Sequence, residues 1–367
     1  MKAEFLVENV EEFLPILLKI IPTHSQVPVL SNILLEAEKT GLYISSTNLE
    51  TGIRIKIAAK IEEEGSITVP GRQFLEALSS LPKDKVTVSI EKENLVIVSR
   101  KTKISFQTIG REEFPTIFEE KGEKIYDFQK GELESIFSKV IFAASTDEGR
   151  PELTGILLSQ KGEKTDFVAT DGFRLSLKRL EGKKIIEDGE KLILPAKIIG
   201  EAMALKTDSS ISMYIYKKAN QIIFGTENVI IVGRFINGDF PNYEKVIPST
   251  SKTKISLDQE EFSQKLRLSS VFARESANIV RLVVEEGQVK LFSKSSGVGE
   301  GEVALEAEAE GEGNEIAFNV KFLSDLLKNI SSKTLSMELS SSIEPAVFKT
   351  DEDPEFLHII MPVREQE

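Results

Sequence analysis

The sequence predicts an α+β fold: one module written three times, each copy carrying two helices on an antiparallel sheet. Three observations lead there. The same order of apolar helix, strand pair and second helix recurs at a period of roughly 120–125 residues, a typical domain size. The strands alternate apolar with polar residues, so each sheet has one face to cover and both helices must share that face. Each copy also ends on a proline step, at Phe114-Pro115, Phe240-Pro241 and Met361-Pro362.

The first helix of each copy is expected over residues 9–21, 132–144 and 260–273. Phe13, Ile16, Leu17 and Ile20 lie at helical spacing, as do Leu133, Ile136, Phe137 and Val140. The third is less regular, with Phe262, Leu266 and Val271 as its inward residues. A strand follows at Asn32–Glu36, Gly155–Ser159 and Arg281–Glu285, then a second at Leu42–Ser45, Asp166–Ala169 and Val289–Phe292. Polar turns end these at Thr47-Asn48, Thr170-Asp171 and Lys294-Ser295. The second helices are expected over residues 72–80, 197–205 and 321–330, with Pro70 and Pro195 just ahead of the first two, where a missing N–H costs nothing. Hairpins such as 86–90 with 95–98 complete each copy. Linkers near residues 121–124 and 249–253 give domains of 1–121, 125–249 and 253–367. Repeated modules on short linkers tend to build an arc or a ring.

The totals narrow the function. Apolar content is 40% of 367 residues, enough for well-buried cores. No run of about 18 apolar residues is present, and the N-terminus carries no export signal, which makes the cytoplasm the expected location. Cysteine is absent, excluding disulfides, thiolate metal sites and cysteine nucleophiles. The two histidines, His24 and His358, form no metal-spaced cluster, and no phosphate loop or serine elbow appears. The chain therefore reads as a non-enzyme with no cofactor. A formal charge of −13 argues against nucleic acid, but only as a total, since it does not say where the charges sit.

The stretch Phe167–Leu177 is the most pointed. An apolar strand reaches the turn dipeptide Asp171-Gly172, and Phe173, Arg174 and Leu175 stand immediately beyond it. By itself this is ordinary hairpin chemistry.

With the triplication, five segments carry a resemblance. They are Val27-Pro28-Val29-Leu30-Ser31-Asn32-Ile33-Leu34-Leu35, Glu152-Leu153-Thr154-Gly155-Ile156, Val168 to Leu175, Phe240-Pro241-Asn242-Tyr243 through Val246-Ile247-Pro248, and His358-Ile359-Ile360-Met361-Pro362-Val363-Arg364. In this order they make the chain resemble the bacterial DNA polymerase sliding clamps over nearly its whole length. The resemblance implies three DNA-clamp modules per chain and a head-to-tail homodimer closing a ring around duplex DNA. It also implies a role as tether of the replicative polymerase, with docking of polymerases, clamp loader and repair proteins through a short peptide motif. A structural repeat protein or scaffold that does not encircle DNA is the alternative.

The resemblance places peptide binding at Leu153, Thr170, Gly172, Phe173, Arg174, Leu175, Pro241, Val246, Ile359, Met361, Pro362, Val363 and Arg364. Aliphatic walls, an adaptable methionine and a glycine permitting close approach suit a peptide groove. Arg174 and Arg364 are expected to meet polar or acidic peptide ends, and the large Phe173 to shape preference, with the Glu365-Gln366-Glu367 tail tuning it. DNA-facing candidates are His24, Arg72, Lys139, Lys197, Lys265 and Lys321, with Lys206, Arg267, Arg274 and Lys328 beside them. Acids early and bases late in a helix equally satisfy the macrodipole, so helix charge alone does not choose between the two roles. The dimer interface is expected at the apolar edge strand with Ile104 and Phe106, against Ala277 and Asn278 of the other copy. Glu306, Glu308, Glu310 and Glu312 alternate along one strand face, which reads as a solvated outer face rather than a metal site.

Overall fold

The computed structural model describes residues 1–205, 207–275 and 277–364. The three repeats are visible in the seven helices found among the described residues. The first repeat holds α1 (Glu8–Glu11), α2 (Leu14–Ile20) and α3 (Gly71–Ser80), the second α4 (Glu132–Ile141) and α5 (Ala196–Met203), and the third α6 (Gln259–Ala273) and α7 (Val320–Asn329). No helix among the described residues is long and apolar enough to cross a membrane.

The helix expected over residues 9–21 is broken in two. Pro15 sits in the first turn of α2, where its lack of an N–H is harmless, but it could not continue a helix begun at Glu8. α3 starts at Gly71 because nothing larger fits: a Cβ there would lie 2.7 Å from Ile21 Cδ1 and 2.9 Å from Ile33 Cγ2. α6 and α7 are capped by side chains, Asp258 accepting from Glu261 N and Asn319 from Lys321 N. α6 buries Phe262, Leu266, Ser269, Ser270 and Ala273. These lie on one face, and Val271, expected inward, points away from it and is 55% exposed. The third repeat's turn also falls later than expected, since its strand runs Gln288–Ser295 and the turn occupies residues 296–298.

Contacts divide the chain into two compact units, Met1–Leu133 with Lys197–Phe235, and Glu134–Ala196 with Ile236 onward. Each unit therefore takes part of the middle repeat. In the first, an eight-stranded sheet joins repeats one and two where Val229–Arg234 pairs antiparallel with Thr51–Ile57. A five-stranded sheet in the same unit ends on Thr102–Gln107.

In the second unit a nine-stranded sheet runs Lys191–Pro195, Gly155–Lys161, Lys164–Thr170, Arg174–Glu181, Asp353–Ile360, Ala346–Thr350, Thr334–Leu339, Thr253–Asp258 and Glu308–Gly311. Its centre is a seam between repeats two and three, with Arg174 opposite Ile360, Ser176 opposite His358 and Lys178 opposite Phe356. A four-stranded sheet completes the unit and ends on the edge strand Gly299–Glu306. α6 packs on that edge strand and on Gln288–Ser295. Phe262, Phe318, Phe348 and Phe356 fill the core of repeat three, each at most 1% exposed. Phe348→Ala should destabilise this unit by about 3–5 kcal/mol, read by denaturant unfolding followed with a probe placed in repeat three.

The polar exception at the seam is His358, which is wholly buried. Its Nδ1 meets Ser176 Oγ at 2.5 Å, and its ring lies among Phe142 and Phe348. Burial, with the nearby Arg174 charge, lowers its pKa to about 3, so the ring is neutral at neutral pH. Between the ordinary histidine value and that depressed one, the unfolded chain binds a proton that the folded chain refuses. Stability is therefore lost as pH falls through this window. Relative to a His358→Gln variant, the wild type should lose about 1 kcal/mol of unfolding free energy per pH unit from pH 6 to pH 4, measured by urea titration at each pH.

Candidate peptide-binding pocket

Three residues, Asp171 to Phe173, join the strands Lys164–Thr170 and Arg174–Glu181. Polar side chains lock this turn from within. Asp171 Oδ1 accepts from Phe173 N at 2.9 Å and Arg174 N at 3.0 Å. Thr170 Oγ1 accepts from Gly172 N at 3.1 Å and donates to Arg174 O at 2.6 Å. Gly172 takes φ +93°, a conformation that only glycine adopts without strain. The turn throws the Phe173 ring outward, 60% exposed, while the Phe173 carbonyl accepts from Met361 N at 2.8 Å.

Behind this ring lies a cavity of about 240 Å³. It is lined by Leu153, Thr170, Gly172, Phe173, Arg174, Leu175, Pro241, Val246, Ile359 and Met361, together with Arg150 and Tyr243. The volume suits one or two side chains rather than a free-standing ligand.

Pro362, Val363 and Arg364 are not part of the lining. After Met361 the chain leaves the seam for the strand Asn314–Asn319, where Val363 N donates to Ala317 O at 2.8 Å. Val363 and Arg364 instead line a separate depression of about 460 Å³ with Arg281, Glu315, Ile316 and Ile343. The Glu365-Gln366-Glu367 tail and Lys206 lie outside the described residues.

The electrostatics of the pocket also depart from expectation. Arg174 is committed within the protein: its Nε donates to Asp171 Oδ2 at 3.0 Å and its Nη1 to Asp325 Oδ2 at 2.8 Å. Its guanidinium lies over Phe322 at 4.8 Å and Phe142 at 5.7 Å. With two carboxylates on one guanidinium, the floor carries no surplus positive charge for a peptide acid. Arg150 is the cation at the rim, 45% exposed, donating to Asp171 O at 3.3 Å. Tyr243 gives the pocket an aromatic wall. Its hydroxyl donates to Asp166 Oδ2 at 2.8 Å, and Arg179 grips the same carboxylate with two bonds of 2.7 and 2.8 Å. Burial first, then the Asp166 charge, pushes the phenol above its ordinary pKa, so the wall stays neutral.

Sequence reasoning missed Arg150, which sits in the polar run Thr146-Asp147-Glu148-Gly149-Arg150 with no periodicity to mark it. Tyr243 stood inside a quoted segment without being singled out.

The DNA-facing candidates divide. His24, Lys197 and Lys321 are exposed. Arg72 donates to Ile21 O at 2.8 Å and Leu18 O at 3.5 Å, closing the C-terminal end of α2. Lys139 is 16% exposed, 3.9 Å from Asp353 and over the Phe356 ring. Lys265 lies 3.9 Å from Glu261 one turn earlier.

Ile104 and Phe106 lie half-buried on Thr102–Gln107, an edge strand paired on one side only. Asn278 serves the backbone instead of an apolar surface: at φ +58° its N–H donates to Ala273 O and its carbonyl accepts from Val320 N. Ala277 beside it is exposed. The apolar residues exposed near this segment are Leu268, Val271 and Val298, at 57%, 55% and 58%. The glutamates 306, 308, 310 and 312 do not share one strand. The chain bends at buried Ala307, placing Glu306 in the four-stranded sheet and Glu308 in the nine-stranded one. Among the described residues no three His, Asp or Glu side chains gather to hold a metal ion.

Comparison with known proteins gives a consistent result over the whole length. Residues 2–118, 127–242 and 244–364 match the N-terminal, central and C-terminal domains of the DNA polymerase III beta subunit. The beta sliding clamp of Staphylococcus aureus is 26% identical over 358 residues, 95% of each chain. The crystal structure of the DNA polymerase III beta subunit of Thermotoga maritima superposes with a TM-score of 0.90 at 30% identity, covering all of both chains. That of the DNA polymerase sliding clamp of Bacillus subtilis does so with 0.93 at 25% identity, again over both chains entirely. The chain belongs to the DNA polymerase III beta subunit family, the bacterial sliding clamps.

Proposed function

We propose that two copies of this chain close head to tail around duplex DNA and tether the replicative polymerase, which docks by seating a short peptide in the Phe173–Met361 pocket. The reading needs no covalent chemistry from the protein, which acts as a processivity subunit. The observation that carries it is the pocket itself: an apolar cavity beside an exposed aromatic, on a turn locked by its own hydrogen bonds. A pre-formed site of this kind takes an apolar peptide anchor with little ordering cost. Other proteins with the same motif, clamp loader and repair proteins among them, would compete for it.

Two exposed sheet edges support the dimer. Thr102–Gln107 offers Ile104 and Phe106, and Gly299–Glu306 lies beside the exposed Val271 and Val298. Antiparallel pairing of these strands from two copies would cover both edges and both apolar surfaces. The charges are opposite in sign, Lys101 and Lys103 on the first segment against Glu300 and Glu302 on the second. We place the interface on Leu268, Val271 and Val298, with Ala277 and Asn278 at its margin.

DNA contact rests on exposed His24, Lys197 and Lys321. Few phosphate contacts give weak, salt-sensitive and sequence-independent affinity, as a ring that slides requires.

Three outcomes are expected. Phe173→Ala and Met361→Ala should each weaken a fluorescein-labelled peptide carrying adjacent leucine and phenylalanine by about tenfold, measured by anisotropy; unchanged affinity in both would exclude the pocket. Native mass should equal two chains and fall to one in Ile104→Asp/Val271→Asp; a wild-type monomer at micromolar concentration would refute the interface. Primer extension with polymerase and loader should give longer products with the wild type than with either pocket variant, which a scaffold that does not encircle DNA would not do.

A further inference from the structure

We infer that Asp325 on α7 is a positioning residue of the pocket: acting through Arg174, it holds the Asp171–Phe173 turn in the shape that presents Phe173 and receives Met361. This rests on the proposed peptide-binding role of the pocket and adds a residue that does not line it.

Besides the Arg150 bond to the Asp171 carbonyl, the turn is fixed at three places. Its own Asp171 and Thr170 bonds shape the loop, and the Phe173 carbonyl is taken by Met361 N. The third is the link from Arg174 to α7. Arg174 is 10% exposed, and its two carboxylate partners come from elements far apart in sequence, Asp171 in the turn and Asp325 in the second helical turn of α7. The guanidinium also lies over the rings of Phe322 at 4.8 Å and Phe142 at 5.7 Å, which occupy space it could otherwise enter. A nearly buried guanidinium with one carboxylate removed must find a new partner or water. The open side is the pocket, whose wall Arg174 already forms. A guanidinium swung there would put a charge where an apolar anchor must sit, and would release Asp171, whose other oxygen orders the turn. Asp325 thus keeps the cation out of the pocket and the turn closed. Asp325 itself is 36% exposed, and an ion pair with one partner open to water adds little net stability, so its effect is expected in geometry and binding more than in melting temperature.

The test uses the full chain and the labelled leucine–phenylalanine peptide. Asp325→Asn and Asp325→Ala should weaken binding about five- to tenfold while native mass and DNA retention stay as in the wild type. Asp325→Glu, which restores the carboxylate, should bind within about twofold of the wild type; a role in packing alone would leave it as weak as Asp325→Ala. In a double-mutant cycle, Arg174→Gln/Asp325→Asn should bind no worse than Arg174→Gln alone, since Asp325 acts through Arg174. Wild-type affinity in Asp325→Asn, with binding lost in Met361→Ala, would overturn the inference and leave the pocket standing. Failure of the wild type itself to bind would overturn both.

Discussion

The antiparallel pairing of Arg174–Glu181 with Asp353–Ile360 is the contact on which the second unit depends. It is the only strand pair in the nine-stranded sheet that connects repeat two with repeat three among the described residues. The two faces of this seam face different environments. Leu175, Leu177 and Ile359 enter one apolar cluster with Leu157, Val168 and Tyr243. On the other face, His358 lies against Ser176, and Lys178 reaches Asp353 and Glu355. A slip of one residue would drive Lys178 and Arg174 into the aliphatic cluster and strand Leu177 among charges, so the register is strongly specified. That register is also what places Met361, the next residue out, against the Phe173 carbonyl.

The pocket is therefore a by-product of the seam's end. Beyond the bond between Met361 N and the Phe173 carbonyl the strands part, and the cavity there is walled by Leu175 and Ile359 of the sheet and by Leu153 of the 3₁₀ turn Pro151–Leu153. The 3₁₀ turn Tyr243–Lys245 supplies the remaining wall, held to the sheet by the Tyr243–Asp166–Arg179 network. None of these groups needs to move to make the cavity. The Thr170, Asp171, Arg174 and Tyr243 side chains are already hydrogen-bonded, which leaves an apolar surface of defined shape with the Arg150 cation at its rim.

Much of this was legible in the sequence, and the parts that were not share a cause. The three repeats, the hairpins and the Asp171-Gly172 turn follow from period, alternation and turn chemistry, all of which are local. Errors arose where a neighbour distant in sequence decides the outcome. Arg174 looked like a free cation because nothing near it announces Asp325, 151 residues away. Arg72 looked like a free cation, although two carbonyls at the C-terminal end of α2 accept from it. Met361 and Arg364 read as one wall, yet the edge strand Asn314–Asn319 draws Val363 away. Val271 is a different case: the less regular spacing of α6 put it inward, and the small Ser269, Ser270 and Ala273 occupy the buried face instead.

The same distinction bears on charge. A total of −13 describes the chain but no particular surface of it. Many acids are already matched: Asp325 and Asp171 by Arg174, Asp166 by Arg179, Asp353 by Lys178. Glu308, Glu310 and Glu312, by contrast, are exposed along one sheet edge and its following turn, with no ion pair to them among the described residues. Repulsion from such an edge acts on a polyanion at the distance of a Debye length, about 8–10 Å. Exposed Lys197 and Lys321 on α5 and α7 act over the same range in the opposite sense. In the proposed ring, such an edge would discourage a duplex from resting on it, while the exposed lysines would supply only weak attraction. Net charge as a total argues against DNA as a partner; in the proposed ring the placement of the charges would decide which surface a duplex approaches.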